Sequence, residues 1–321
     1  MILLWGVPGD GPFDAVRSAL RQQDAEFRLL DQRNAVDMEI SLRIGMDGTL
    51  DGSILDAGEE VALAGVGSAY VRPVETSRAC CNRSDDDPDY LHAVAVDSSL
   101  VAWADLARAT VANRPAAMAS NNSKPYQLAL IEAAGFLVPD TLVTTDPGAV
   151  VRFQQRHRSL IYKSVSGVRS IVSRLTSTED EALACVANCP TQFQEYIPGS
   201  DVRVHVAGST VIATEIVSGA DDYRYASRVK ADVAMAPVEL TTDLADRCRH
   251  LVSSLGLMLA GIDFRRTPEG KWYCLEVNPS PGFTYFEAAT GQPIAAAVAE
   301  LLISADVASA AMWNLQAASV L

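Results

Sequence analysis

The chain has 321 residues, 49% hydrophobic and 21% charged, with 26 Lys and Arg against 40 Asp and Glu and a formal net charge of −14. That length holds more than one packed unit, and the acidic balance argues against a nucleic-acid partner, which needs a basic face to displace counterions from phosphates. No apolar run approaches the length of a membrane helix and no signal peptide opens the chain, so a cytoplasmic protein without a membrane partner is expected. The six cysteines form no CxxC pair and only four histidines accompany them. Zinc is not expected, and the thiols read as reduced and mostly buried.

Residues 2–5 read as a strand. Residues 13–22 read as a helix with Phe13, Val16 and Leu20 on one face, and residues 27–30 as a second strand ending at Asp31. This opening imitates a dinucleotide fold, but its glycines do not fit G-x-G-x-x-G, so a small α/β domain without its own cofactor is expected. Residues 39–63 read as a meander of hairpins and 68–71 as a strand running into Arg72-Pro73. Ser84-Asp-Asp-Asp-Pro-Asp reads as a solvated acidic loop, and residues 97–112 as a helix with Leu100, Trp103 and Leu106 inward. The first domain boundary is placed near Arg114-Pro115. A helix capped by Asn122 or Ser123, with Pro125 in its first turn, runs to Ala134 and stops at Gly135. Asp146-Pro147 starts another helix, 160–163 is a strand, 178–187 a helix and 191–199 a strand and turn. Strands over 201–206 and 211–217 precede an amphipathic helix over 242–254, closed by Gly256. A last helix covers 293–303 and continues into an alanine-rich helical tail.

The stretch Gly261 to Gly282 carries the clearest chemistry. Residues 259–264 and 272–277 read as a hairpin around Thr267-Pro268-Glu269-Gly270. Glu276 and Asn278 are two apart and share a face. Asp263 joins that face if the loop has two or four residues; a three-residue loop puts it on the back. In the even case two carboxylates and an amide oxygen converge, hard ligands that suit Mg²⁺ and through it phosphates. Pro279-Ser-Pro-Gly then stops the strand and turns the chain over the site.

That hairpin, G-I-D-F followed by E-V-N-P, resembles the metal-binding hairpin of the ATP-grasp ligases, in their RimK-like and glutathione-synthetase-like branch. Further blocks over residues 120–302 agree in order: a helix headed by Lys124 and followed by G-x-x-V-P-x-T, a strand ended by Lys163, and Q-E-Y-I-P-G followed by D-x-R. Tyr70-Val-Arg-Pro resembles the W-Y-R-R-P strand end of ATP-grasp enzymes that crosslink ribosomal peptides, without the tryptophan and one arginine. The resemblance implies an α/β (α+β) chain with the ATP-grasp fold. An N-terminal α/β pre-ATP-grasp domain would span 1–115, a central subdomain 116–192, and a C-terminal subdomain with the hairpin 193–321. It implies ATP and one or two Mg²⁺, or Mn²⁺, with the metal on Asp263, Glu276 and Asn278. Lys124 falls to the phosphates and Lys163 to phosphate and adenine, Glu195 and Ile197 flank the adenine at a hinge that holds it through backbone groups, and Asp201 lies with the nucleotide. Arg203, Arg224 and Arg228, with Lys230 as a third candidate in that loop, fall to the acyl phosphate and substrate. Arg203 also reads as half of a cross-strand ion pair, and Arg72 as facing substrate or an acid. A loop after Lys163, with Gly167 and Arg169, would fold over the triphosphate.

The activity implied is ATP-dependent ligation of a carboxylate to an amine through an acyl phosphate, between small amino-acid-type molecules, with ADP and phosphate released. One alternative is a maturase forming amide or ester crosslinks in a ribosomal precursor peptide. The other is a non-catalytic ATP-binding module. A homodimer is the family expectation.

Overall fold

β1 (Ile2–Gly6) is buried along its whole length because both faces of its sheet are covered. The structure, a computed structural model, describes residues 1–46, 50–80, 84–165, 172–175, 183, 185–218 and 232–318, with side chains as far as 311. β1 pairs in parallel with β2 (Phe27–Asp31) on one side. β3 (Glu39–Ile44), β4 (Leu50–Asp56) and β5 (Glu59–Ala62) form a separate antiparallel meander, as the hairpin pattern predicts. β6 (Ser68–Arg72) pairs with the other side of β1, and β7 (Thr110–Ala112) follows it. One face of this four-stranded sheet packs Leu3, Trp5 and Val71 against Leu100 and Trp103 of the helix Pro88–Leu106. The other packs Leu4 and Tyr70 against Phe13 and Leu20 of the helix Gly11–Gln22 and Val298 of the helix Ile294–Ala318.

The helix expected over 97–112 in fact starts nine residues earlier and ends at Leu106, and residues 110–112 are strand β7. The start signal sits inside the acidic run. Asp87 accepts the Asp89 N–H (2.9 Å) as N-cap, with Pro88 in the first turn. At the other end Arg114 donates to the carbonyls of Ala104, Asp105, Ala107 and Ala109, satisfying the orphan acceptors of the terminus.

The second sheet runs in the order β10-β9-β11-β8, formed by β8 (Thr141–Thr144), β9 (Leu160–Ser164), β10 (Ser173–Leu175) and β11 (Thr191–Glu195). Leu160 and Phe193 face Val150 and Phe153 of the helix Pro147–Arg156. The third sheet runs β14-β13-β12-β15-β16 and is antiparallel throughout. Its strands are β12 (Ser200–Ala207), β13 (Thr210–Ser218), β14 (Val233–Val238), β15 (Leu259–Arg266) and β16 (Trp272–Asn278). β14 was not expected from the sequence. Val202, Val204, Ile262 and Phe264 pack under the helices Thr242–Ser254 and Lys124–Ala133. The opposite face looks across a cleft at the second sheet.

One expectation changes here. The segment Ile294–Ala311 does have the length and composition of a membrane span, with mean hydropathy 1.7, and 33% of it is buried within the fold. Its apolar side chains Ile294, Val298 and Leu302 are spent on the first sheet and its neighbours. The cysteines divide: Cys80, Cys248 and Cys274 are buried and Cys185 and Cys189 exposed, all free; Cys81 lies outside the described residues. Of the helix expected over 178–187, only Leu183 and a 3-10 turn at Cys185–Asn188 belong to the described residues.

Candidate active site

The β15–β16 turn is odd. Arg266 pairs with Trp272, and the Thr267 N–H donates to the Lys271 carbonyl (2.9 Å), leaving Pro268, Glu269 and Gly270 as the loop. An odd loop by itself would set Asp263 opposite Leu275, on the wrong face. A β-bulge between Asp263 and Phe264 shifts the register by one residue, so Asp263 stands directly opposite Glu276, and Gly261 opposite Asn278. The loop parity thus departs from the even case weighed in the sequence, and the bulge returns Asp263 to the face of Glu276 as its direct partner.

Arg203 of β12 is the cross-strand partner of Asp263 and donates from Nη1 to Oδ1 (2.8 Å). It is nearly buried, at 5% exposure, and its guanidinium lies across Gly261, where a Cβ would stand 2.0 Å from Nη2. Glycine at that position is what admits the side chain. Behind it, Nε donates to His205 Nε2 (3.4 Å). Burial, with the Arg203 charge beside it, holds the His205 pKa well below the ordinary histidine value, so the ring is a neutral acceptor. The alternatives read for Arg203 meet in one place: it is half of an ion pair, and its partner is the candidate metal ligand.

The cleft between the second and third sheets is lined by Lys163, Gln194, Tyr196, Asp201, Asp263 and Glu276, with apolar walls from Ile161, Val172, Ile216 and Leu275. Lys124 heads its helix, is buried, and reaches from Nζ to the Ser164 carbonyl (3.4 Å), next to Lys163 at the end of β9. Lys163 and three carboxylates therefore converge on one cleft, with Lys124 beside them at Ser164. Asp201 pairs with Arg265 (3.1 Å), and the Tyr196 ring is flanked by the guanidiniums of Arg174 (3.9 Å) and Arg265 (5.6 Å).

The hinge expectation concerns backbone groups, and the side chains around it divide between the cleft and other partners. Glu195 turns away from the cleft: its carboxylate accepts the Asp140 N–H (3.1 Å) and approaches His157 Nδ1 (3.4 Å), and Ile197 is buried. Gln194 and Tyr196, one residue either side of Glu195, face the cleft instead. Strand alternation puts 194 and 196 opposite 195, but only the packing of Phe193 into the helix-covered core fixes which set looks inward. Arg224, Arg228, Lys230, Gly167 and Arg169 lie outside the described residues.

Two polar residues that the sequence reading passed over hold the hairpin in place. Gln127 donates from Nε2 to the Val277 carbonyl (2.7 Å) and accepts the Val277 N–H at Oε1 (3.0 Å), replacing a strand partner at the β16 edge. Asn113 donates from Nδ2 to the Leu259 and Pro279 carbonyls (both 2.6 Å) and accepts the N–H groups of Met258 (2.8 Å) and Leu259 (3.0 Å). Both are buried polar side chains between apolar runs, the only signal the sequence offers for them. Arg72 pairs with Asp10 and donates to Ser280 Oγ (2.8 Å), so it buttresses the turn after Asn278.

Among the described residues no group of three or more His, Cys, Asp and Glu is placed to hold a metal. The donor set of the hairpin face still fits a hard cation that keeps part of its shell from phosphate and water: two opposed carboxylates and the Asn278 amide, whose Oδ1 also accepts the Ser280 N–H (2.9 Å).

Residues 119–302 match the model of the RimK-like ATP-grasp domain. A probable alpha-L-glutamate ligase of Vibrio cholerae is 27% identical over 201 residues, 60% of this chain and 66% of that protein, so the chain spans just under two thirds of that relative. The ATP-grasp ligase PsnB, solved with Mg, ADP and a phosphomimetic variant of its minimal precursor, superposes with a TM-score of 0.78 at 27% identity, covering 95% of this chain and 98% of PsnB. The macrocyclase MdnC of Microcystis aeruginosa, bound with its precursor peptide MdnA, shares the fold, with a TM-score of 0.77 at 22% identity over 94% and 99% of the two chains.

Proposed function

The chain belongs to the RimK-like ATP-grasp family, and on that premise we propose that it is an ATP-dependent ligase that activates a carboxylate as an acyl phosphate and passes the acyl group to an amine or hydroxyl. The observation that carries this is Asp263 directly opposite Glu276, across a cleft from Lys163. ATP lies in that cleft with its phosphates toward Lys124 and Lys163. Asp263, Glu276 and Asn278 would hold one or two Mg²⁺, which would supply charge neutralisation for the phosphoryl transfer. Lys124 and Lys163 stabilise the charge that spreads over the phosphoryl oxygens. Arg203 has two tasks: it fixes Asp263, and it presents the rest of its guanidinium to the acyl phosphate. A carboxylate oxygen takes the γ-phosphoryl and ADP leaves. The amine or hydroxyl then attacks the acyl carbon, phosphate leaves with the C–O bond electrons, and the nucleophile gives up one proton. No side-chain nucleophile is required.

The carboxylate we favour is an Asp or Glu side chain of a peptide, giving an amide or ester link. The likeness to PsnB supports this, because it runs through the N-terminal domain as well as the ATP-grasp part. Ligation of free amino acids is the second reading, supported by the glutamate-ligase relatives, whose match covers 60% of the chain. A reaction that consumes ATP fits the cytoplasm. The test is phosphate release from Mg-ATP with bacterial extract split into peptide and small-molecule fractions. Stimulation by peptides alone supports the maturase, and stimulation by the small fraction supports the amino-acid ligase. Glu276→Gln serves as control: turnover should fall at least about a thousandfold with the melting curve unchanged. Wild-type turnover in that variant would remove the hairpin from the mechanism.

A further inference from the structure

The V-P-x-T run after Gly135 ends in a threonine that the ligation chemistry leaves without a role. Thr141 opens β8 and is the cross-strand partner of Gln194 on β11. Its hydroxyl lies 2.8 Å from the Pro139 carbonyl and 2.9 Å from Gln194 Nε2. Two oxygens at that separation need a proton between them, and the carbonyl has none to give. The single hydroxyl hydrogen of Thr141 therefore goes to Pro139, and Thr141 Oγ1 is left as an acceptor. Gln194 must turn its NH₂ group toward Thr141, which leaves Oε1 for the cleft that Gln194 lines. Among the described residues Oε1 takes no hydrogen bond, and the side chain, at 1% exposure, is otherwise enclosed, so its small accessible surface opens on the cleft. The segment is pinned on both sides: the Glu195 N–H donates to the Asp140 carbonyl (3.0 Å) and the Asp140 N–H to the Glu195 carboxylate (3.1 Å).

We propose that Thr141 makes the cleft select a 6-amino purine over a 6-oxo purine, by holding Gln194 so that a bare carbonyl oxygen faces the base. The proposal rests on the reading of this cleft as the nucleotide site. The adenine amine donates to Gln194 Oε1. Hypoxanthine or guanine meets it oxygen to oxygen, and both groups lose their hydrogen bonds on leaving water. The apolar walls stack on any purine and are blind to the 6-substituent. Gln194 is the specificity-determining residue and Thr141 the positioning residue behind it.

The experiment is calorimetric binding of ADP and of IDP, which differ at the 6-position and its adjoining N1, to the full chain and to Thr141→Val, Thr141→Ser and Gln194→Met. Wild type should bind ADP about tenfold tighter than IDP or better. Thr141→Val frees the carboxamide to turn and should bring the ratio within about threefold, mainly by strengthening IDP; Thr141→Ser keeps the hydroxyl and the wild-type ratio. Gln194→Met removes the acceptor and should collapse the ratio without touching Thr141. A folded Thr141→Val or Gln194→Met with the wild-type ratio, or a Thr141→Ser that behaves like valine, overturns the proposal. If wild type binds both nucleotides and these substitutions leave the ratio intact, only this selection device falls. If wild type binds neither, the nucleotide reading of the cleft falls with it.

Discussion

Arg203 reaches Asp263 only because residue 261 has no side chain. In Gly261→Ala the new Cβ would stand 2.0 Å from Arg203 Nη2, so the guanidinium must leave Asp263 or the strands must part. We expect a loss of about 1–3 kcal/mol in urea unfolding, and a smaller loss from the same change in an Arg203→Ala background, where the three nearest colliding atoms are gone. Equal losses in both backgrounds would contradict this account. Asp97 is a second residue with a readable cost. It accepts from Gln32 (2.7 Å) and Thr76 (2.7 Å), and burial still pushes its carboxyl above the ordinary range, against the pull of those two hydrogen bonds. The folded state then binds its proton more tightly than the unfolded chain does. Stability from this group is greatest at acid pH and declines as pH rises from the ordinary carboxylate value through the raised one. Asp97→Asn should therefore gain most over wild type at pH 8, and the gain should shrink toward pH 4. A gain that is constant with pH would mean the charge is not what is being relieved.

At the scale of elements, the hairpin owes the pairing of Asp263 with Glu276 to a turn and a bulge that compensate each other. Three loop residues send Asp263 to the back and the bulge brings it forward, so neither feature makes sense without the other. The far edge of β16 is closed by Gln127, whose carboxamide copies the two hydrogen bonds of a neighbouring strand at Val277. Gln127→Leu fills the space but orphans one N–H and one C=O. The expected loss is about 1–3 kcal/mol, with faster hydrogen exchange at the Val277 amide. Unchanged protection there would show that the strand holds its own edge. Much at this scale was legible in the sequence. The helix Thr242–Ser254 and the two hairpin strands lie where periodicity puts them. The helix Pro88–Leu106 was misplaced because its cap hides in an acidic run that reads as loop.

At the scale of the whole molecule, Asn113 joins the first sheet to the hairpin. One buried carboxamide makes four hydrogen bonds to Met258, Leu259 and Pro279, and Arg72 adds its contact to Ser280 from the end of β6. The turn that follows Asn278 is therefore held from the first sheet. Asn113→Ala should cost about 3 kcal/mol or more and split a single unfolding transition into two, read by circular dichroism in urea. A single transition at the wild-type midpoint would mean the domains are joined by their apolar contacts alone. The helix Ile294–Ala318 makes the same junction from the other side, packing apolar side chains between Phe13, Tyr70 and Ala207, accepting from Ser68 Oγ at the Leu302 carbonyl (2.7 Å) and pairing Asp306 with the N-terminal amine (2.6 Å).

The sequence alone carried the residue types of the site, the order of its blocks and the alternation of its strands, because those depend on neighbours a few positions apart. It carried Lys124, Lys163, Asp201, Arg203, Asp263, Glu276 and Asn278 as candidates. The tertiary structure decided three things the sequence left open. The bulge at Asp263 set which face that carboxylate joins, since register belongs to a strand pair and not to either strand. Phe193 in the helix-covered core turned Gln194 and Tyr196, rather than Glu195, toward the cleft. Thr141, which donates to Pro139, set the orientation of the Gln194 carboxamide by accepting from its Nε2. Each depends on a pairing between separate elements (Asp263 with Glu276, Phe193 with the helix over it, Gln194 with Thr141), and the energy that chooses between the alternatives exists only once that partner is in place.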